Sequence, residues 1–452
     1  MSRGLSVIAK NIKKYRENLG ITQDQLATSS GVTYNVLIKI ESGATVNPTI
    51  KTAAKIAKGL RVTLDDLLKP SSFTGTLICK QCKKQYATAE EIWQCECGGL
   101  LELDFDTSFP IDEIKKRKQT MWRYREAIPI ESDKHIVSFD EAITPLIKIP
   151  FGNHEVFVKQ DHLFSSGSYK DRGAAVLISK VRELGVDKIV EDSLVEDSSG
   201  SASLAIASYC AHGDITCDLY TPPTVSKERL AQLQFFGAKI HTLSGSREEV
   251  SKKTLRVAQN EYYANHCWNP FFLHGIKTFA FEVWEQLGWR SPTTVIVPLG
   301  NGTLFLGIYM GFRELLNAGM ITKIPKIIGI QSVNCAPLYL AYKKHLSKIP
   351  KVRKKATLAE GLAIIDPLRG EEIIEAVNNT NGEIITVHDD EIKQTLREMF
   401  RKGFAIEPTS AATIAGVKKY VVRCSEKETI VSAFTGSGLR EIERIRRLLR
   451  SS

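Results

Sequence analysis

The 452-residue sequence predicts an α/β protein of largely parallel sheets, preceded by an all-α segment and a small four-cysteine ribbon. Three observations predict it. From about residue 130 onwards, short β-branched runs alternate with helical stretches, the pattern of strand–loop–helix units. The first seventy residues place apolar side chains at helical spacing, with glycine stops. Four of the nine cysteines fall within residues 79–97, which suits a metal better than disulfides. Hydrophobic content of 43% and charged content of 25% allow large cores, and no stretch approaches the ~20 apolar residues of a membrane span. The N-terminal MSRGLSVIAKNIKK has no signal-peptide apolar core, so a cytoplasmic protein without a membrane partner is expected.

The helical segment comes first. Leu5, Ile8, Ile12, Tyr15 and Leu19 recur at helical spacing before Gly20. Thr22 is placed to N-cap a second helix, and Gly31 turns the chain into VTYNVLIKIESG. PTIKTAAKIAKGL and TLDDLL complete five short helices. Residues 1–69 hold eleven Lys/Arg against five Asp/Glu, a net +6 of the chain's +10, which points to a polyanion partner. The segment 1–70 resembles the Cro/phage-repressor-type helix-turn-helix family through LGITQDQLA, GVTYNVLIKIESG and PTIKTAAKIAKGLRVTLDDLL. The resemblance implies DNA binding, with Thr33, Tyr34, Asn35 and Lys39 on the third helix facing a major groove. Gln23 would brace phosphate or base. A helical bundle used for protein contacts is the rival reading.

The ribbon, residues 71–106, contains a CxxC (Cys79, Cys82) and a CxC (Cys95, Cys97) followed by Gly98-Gly99. Two short-spaced pairs a dozen residues apart suit tetrahedral four-thiolate zinc in a closed, structural site. Redox use is the rival.

In the α/β region, residues 107–452, the strand candidates are VFVKQ, KIVED, ITCDLY, KIHTL, TTVIVPLG, KIIGIQSV, EIITV and TIVSAFTG. Ligands of such sheets collect at loops beyond strand C-termini. Three of those loops are rich in small residues: Glu196–Ala207, Gly300-Asn301-Gly302-Thr303 and Thr435-Gly436-Ser437-Gly438. A glycine-rich loop at a helix N-terminus offers free amides to a phosphate. A fourth segment, SSGSYKDRGAAV, puts Lys170 at the mouth of a helix, where the macrodipole disfavours a cation. Three phosphate-suited loops and a helix-mouth amine converge on pyridoxal phosphate, covalently held.

Residues from about 79 to 440 resemble the threonine synthase branch of the fold-type II pyridoxal-phosphate enzymes. The matching pieces, in order, are CxxC…CxCGG, TPLIKIP, SSGSYKDRGAAV, DSSGSASLAIASY, TPPTVSKERLAQLQFFGAKI, NPFFLHGIKTFAFE, VPLGNGT, TLAEGLAI, GFAIEPTSAATIAG and FTGSGLRE. The resemblance implies a tryptophan synthase β-like fold of two subdomains, usually dimeric. It implies that Lys170 is the catalytic Schiff-base lysine, whose cationic cost is relieved by bonding to the cofactor. Gly300, Asn301, Gly302 and Thr303 would cradle the cofactor phosphate. Thr435 would lie beside the pyridine nitrogen, a neutral partner that leaves it largely unprotonated. Ser199, Gly200 and Ser201 would grip the substrate carboxylate, Ser201 also standing where many relatives carry an asparagine that bonds the cofactor ring oxygen.

One departure bears on the substrate. The loop His266-Cys267-Trp268-Asn269-Pro270-Phe271-Phe272 lacks the arginine that often grips a substrate phosphate, and a phenylalanine cannot replace that bidentate contact. His266, His274 and Lys277 could compensate; a structural role for the histidines is the rival reading. Three functions therefore stand: a threonine synthase-type conversion of O-phosphohomoserine, a β-replacement or elimination on a serine-like substrate, and a transcriptional regulator sensing an amino acid or the cofactor.

Overall fold

The computed structural model describes residues 7–45, 47–68, 75–192, 200–245, 247–353 and 355–450. The chain divides into two compact units, residues 1–74 and 75–452. In the first, five helices run α1 (Val7–Asn18), α2 (Gln23–Ser30), α3 (Tyr34–Glu41), α4 (Ile50–Leu60) and α5 (Leu64–Leu68). Ile8, Ile12, Leu26, Leu37, Ile40, Ile56, Leu60 and Leu67 form one core, with Tyr15 packed against it. Leu19 lies past the end of α1 and is exposed, and Leu5 lies outside the described residues. Thr22 caps α2 reciprocally: its hydroxyl accepts from Gln25 N, and Gln25 Oε1 accepts from Thr22 N. Gly31, at φ +60°, supplies the left-handed residue that turns α2 into α3.

The second unit begins with the ribbon, an antiparallel sheet in the order β2-β1-β3 made of β1 (Gly75–Cys79), β2 (Gln85–Ala87) and β3 (Leu101–Phe105). The ribbon does not stand apart from the α/β region. Trp93 donates to Ala258 O at 3.1 Å and packs edge-on against Tyr263 and Trp268. A ribbon this small buries little apolar surface alone, so it borrows a wall from the larger core.

A six-stranded sheet follows the order β12-β11-β10-β13-β5-β4. Its strands are β4 (Leu146–Phe151), β5 (His154–Lys159), β10 (Thr294–Pro298), β11 (Lys326–Ser332), β12 (Glu383–Val387) and β13 (Ile430–Ala433). All neighbours are parallel except β4 and β5. A second, fully parallel sheet runs β8-β7-β6-β9, from β6 (Lys188–Asp192), β7 (Thr216–Thr221), β8 (Lys239–Thr242) and β9 (Tyr262–Tyr263). All eight expected strands form. Two more were not foreseen: β4, where Pro145 and Pro150 weaken the strand signal and an edge position tolerates proline, and the two-residue β9. β10 is buried at every position, as parallel strands covered on both faces are.

Candidate active site and cysteine cluster

The helix Lys170–Glu183 starts from the turn Ser165–Ser168, where Gly167 takes φ +75°. Asp171 accepts from the backbone N–H of Ser166 at 2.9 Å and from its hydroxyl, which locks the turn onto the first helical residues. Burial pushes the Asp171 carboxyl up to about 7, against the Ser166 hydrogen bonds that lower it. Gly173 lies under Phe272, where a Cβ would overlap the ring. Beneath the turn, fully buried Arg172 binds Asp161 and Glu282, and Lys159 binds Glu282 at 2.6 Å. This network fixes the first turn of the helix, and with it Lys170.

Lys170 Nζ reaches Thr303 Oγ1 at 3.1 Å, and Tyr169 Oη lies 3.1 Å from the same hydroxyl. No carboxylate pairs with Lys170 among the described residues. Lys170, Ser201, Gly300–Thr303, Glu407 and Thr435 all line one cavity of about 510 Å³. The strand β10 delivers Gly300 to its wall, against the carbonyl of Gly361, so only a glycine fits there. Gly302 at φ +81° then starts the helix Thr303–Asn317, whose first-turn N–H groups have no intrahelical acceptors. At the third side, beyond β13, Thr435 donates to Glu407 Oε1 at 2.9 Å and lies 3.0 Å from Ser410 Oγ.

Gly200, at φ +45°, caps the helix Ser201–His212 at the cavity wall. Arg440 Nη2 joins Ser201 Oγ at 2.9 Å to Glu407 Oε2 at 3.2 Å, tying two walls together. Ser199 lies outside the described residues. Thus every expected cofactor residue is brought to one cavity, together with Gly200 and Ser201 of the expected carboxylate loop. An amine, a run of free helix-start amides and a buried hydroxyl around a space of this size fit pyridoxal phosphate.

The compensating cations are sorted by the fold. His266 and Cys267 line the cavity, whereas His274 and Lys277 do not. His274 is buried beside Phe105 (5.3 Å between centroids), and burial together with Lys277 holds its imidazole well below the usual range. Lys277 is fully buried and paired with Glu314 at 2.8 Å. Neither therefore compensates at the cavity wall: His274 packs on Phe105 and Lys277 is held by Glu314. Lys252, Asp192, Asn265 and Glu407 line the cavity without having been foreseen. Glu407 stands inside the GFAIEPTSAATIAG motif and Arg440 inside FTGSGLRE, but nothing in spacing alone assigned them a partner.

The four ribbon sulfurs gather within 4.8 Å of one another, with Cys79–Cys97 and Cys82–Cys95 each at 3.5 Å. Gly99 lets its backbone approach them, since a Cβ there would come within 2.7 Å of Cys79 Sγ. Four thiolates at tetrahedral reach fit zinc. In the helical unit, Tyr34, Asn35 and Lys39 are exposed on α3, and Thr33 caps it without using its hydroxyl on the backbone. Gln23 donates to Glu41 Oε2 at 2.7 Å, beside the Arg16–Glu41 ion pair at 2.8 Å, so its amide braces α2 against α3.

Comparison with known proteins adds three findings. The family model described as pyridoxal-phosphate dependent enzyme matches residues 137–436, and a helix-turn-helix model matches residues 12–67. The threonine synthase of Methanocaldococcus jannaschii is 34% identical over 378 residues, covering 80% of this chain and 92% of that one. That of Methanosarcina acetivorans is 30% identical, covering 81% and 92%. Among solved structures, a pyridoxal 5'-phosphate-dependent aspartate racemase superposes with TM-score 0.58 at 21% identity, covering 76% of this chain and 98% of that one. A fungal L-serine ammonia-lyase from Rhizomucor miehei gives TM-score 0.58 at 17% identity, covering 68% and 98%. At these identities the two structures establish the shared fold.

Proposed function

The chain belongs to the pyridoxal-phosphate dependent enzymes and carries an N-terminal helix-turn-helix domain, and from that premise we propose that it converts O-phosphohomoserine, or a closely related amino acid, in the manner of a threonine synthase. The single observation that carries this reading is the meeting of Lys170 Nζ with the Gly300–Thr303 loop, 3.1 Å from Thr303 Oγ1, in one cavity. Pyridoxal phosphate, when bound, supplies an electron sink that acidifies carbons next to an amino group.

The chain's own residues do the rest. The helix-start amides after Gly302 and the Thr303 hydroxyl bind the phosphate, with the macrodipole favouring its charge. The N-terminus of the helix Ser201–His212 and the Ser201 hydroxyl orient the substrate carboxylate, a task shared with Ser199. Lys170 Nζ holds the cofactor and, once released, moves protons at the substrate carbons. Tyr169 and Thr303 steer that amine. Lys252 and His266 stand at the cavity wall, where a substrate anion would meet them in place of the arginine this loop lacks.

Zinc held by Cys79, Cys82, Cys95 and Cys97 has a structural role. The segments 1–70, 71–106 and 107–452 act as DNA-binding domain, zinc ribbon and catalytic region. The protein works in the cytoplasm as a homodimer, so that two helix-turn-helix domains can engage an inverted repeat. The helix-turn-helix favours a second reading, in which the cavity senses an amino acid with little turnover. The loss of the arginine at Phe272 favours a serine-like substrate.

One experiment tests the set. Purified holoenzyme is reduced with borohydride and peptide-mapped, then offered phosphorylated and free amino acids while the visible spectrum and phosphate release are followed. The label is expected on the Lys170 peptide, with steady phosphate release from O-phosphohomoserine. A label elsewhere, or spectral change without turnover on any substrate, overturns the enzymatic assignment.

A further inference from the structure

We propose that Lys80 and Trp93 of the ribbon, together with Arg369, are positioning residues that hold the cavity-wall segment 263–268, so that metal in the ribbon tightens the grip on the substrate. The inference rests on two readings already given, that this wall faces the substrate and that the four cysteines hold metal.

Tyr263, Asn265, His266, Cys267 and Trp268 all line the cavity. From Asn265 to Trp268 the chain runs between β9 and the helix Pro270–Ile276, outside any ladder or helix. Its backbone is satisfied by side chains instead. Asn265 Oδ1 accepts from the N–H groups of Cys267 and Trp268 at 2.8 and 3.3 Å. Arg369 takes the carbonyls: Nε donates to Cys267 O at 2.8 Å and Nη2 to Trp268 O at 3.2 Å. A guanidinium presents these donors in a rigid fork, so it fixes two carbonyls at once. The Arg369 side chain is 2% exposed and needs a counter-charge, which Glu372 supplies at 3.1 Å.

Glu372 is shared with the ribbon. Lys80 Nζ lies 3.2 Å from Glu372 Oε2 and 2.7 Å from Glu102 of β3. An alternating row of charges, Glu102, Lys80, Glu372 and Arg369, thus ends on the carbonyls of the wall. Trp93 makes the second hold. Its indole N–H donates to Ala258 O, and its ring meets Tyr263 and Trp268 edge-on, 5.0 and 5.8 Å between centroids.

The two holds start from different cysteine pairs. Lys80 follows Cys79, and Trp93 precedes Cys95 by two residues. Four thiolates within 4.8 Å of one another stay together only around a cation, so metal keeps both turns in register. Lys170 is fixed by other groups, the Ser166–Asp171 turn and the buried Arg172 network. Metal loss therefore loosens the wall and spares the cofactor's anchor.

The test uses full-length holoenzyme, with metal analysis before and after a zinc chelator. Amide hydrogen exchange is followed in the peptides 262–269 and 170–183. Exchange in 262–269 is expected to quicken at least about tenfold on metal loss, with 170–183 unchanged. KM for O-phosphohomoserine is expected to rise about fivefold or more, with kcat changed far less. Lys80→Met, which keeps all four cysteines, should act in the same direction on exchange and KM with metal still bound. Lys80→Arg should restore both. Unchanged exchange in 262–269 after metal loss, or equal quickening of both peptides, overturns the proposal. Protein that carries no metal at the cysteines overturns the metal link, and Lys80→Met with unchanged exchange in 262–269 overturns the hold itself. A wild type that does not turn over O-phosphohomoserine overturns the proposed substrate instead, and exchange alone then decides the hold.

Discussion

Replacing Arg172 by methionine should destabilise the second unit by about 3–5 kcal/mol at neutral pH, the cost of breaking one buried ion pair by removing one partner. The structure sets this magnitude. Arg172, Asp161, Glu282 and Lys159 all have side chains with 0% exposure, and they form a balanced set of two cations and two anions. The guanidinium donates to Asp161 through Nε and Nη2, both at 2.8 Å, and to Glu282 through Nη2 at 2.8 Å. Thr144 adds one donor to Asp161 at 2.7 Å. Methionine fills much of the volume, so packing loss is minor, but two buried carboxylates are left facing one ammonium. The sign of the pH dependence follows. Burial would raise the Asp161 carboxyl, yet Arg172 more than offsets it and holds the group below its ordinary value. In the wild type this stabilisation is present at neutral pH and is lost as pH falls through the folded pKa. In the variant the orphaned carboxyl is raised instead, so folding takes up a proton and stability improves as pH falls towards the unfolded value of about 3.9. The difference between the two proteins must therefore narrow on acidification. Urea denaturation at pH 7.5 and pH 5.5 measures it. Adding Asp161→Asn and Glu282→Gln to the variant should recover part of the loss, because neutral side chains need no counter-charge. A loss below about 1 kcal/mol at neutral pH, or one that does not change with pH, would show that Arg172 is not the counter-charge these carboxylates need.

Three further outcomes are expected. Gly302→Ala forces a Cβ into a φ of +81° and against Ile373, so a backbone cost of about 1–2 kcal/mol should accompany weaker cofactor phosphate binding, read by titrating the apoprotein and following visible absorbance. Metal analysis should find about one zinc per chain, the four-thiolate stoichiometry. Cys95→Ser should lower ribbon stability and zinc content together while the visible spectrum persists, and metal-free protein of unchanged stability would count against the site. Selection from random duplexes should return an inverted repeat. Asn35→Ala should relax its specificity by about 1–3 kcal/mol at one position. Lys39→Ala should weaken all sequences alike and reduce the salt slope by about one, and flat, motif-free binding would make the domain a protein-contact module.

Much of this was legible along the chain because it is local. Helical spacing, the Thr22 cap and the Gly31 turn act within a few residues, so α1 to α5 follow from the order of side chains alone. The same holds for the buried parallel strands, whose β-branched runs need no distant partner to be recognised, and for the gathering of the paired cysteines, which their spacing announces. The proline-bearing strand β4 was hidden because its edge position, known only from the sheet, is what makes proline tolerable there. The direction of a side chain on its helix was hidden in the same way. His274 and Lys277 lie in the right stretch of sequence, and only their packing, on Phe105 and against Glu314, shows that they are spent away from the cavity. Tertiary structure alone brought Glu407 to Thr435 across 28 residues and Arg440 to Ser201 across 239. A hydrogen bond depends on position to within a few tenths of an ångström, and sequence separation carries no such information. The residues that line the cavity could be named in one dimension, but which polar atom lies against which could be decided only in three.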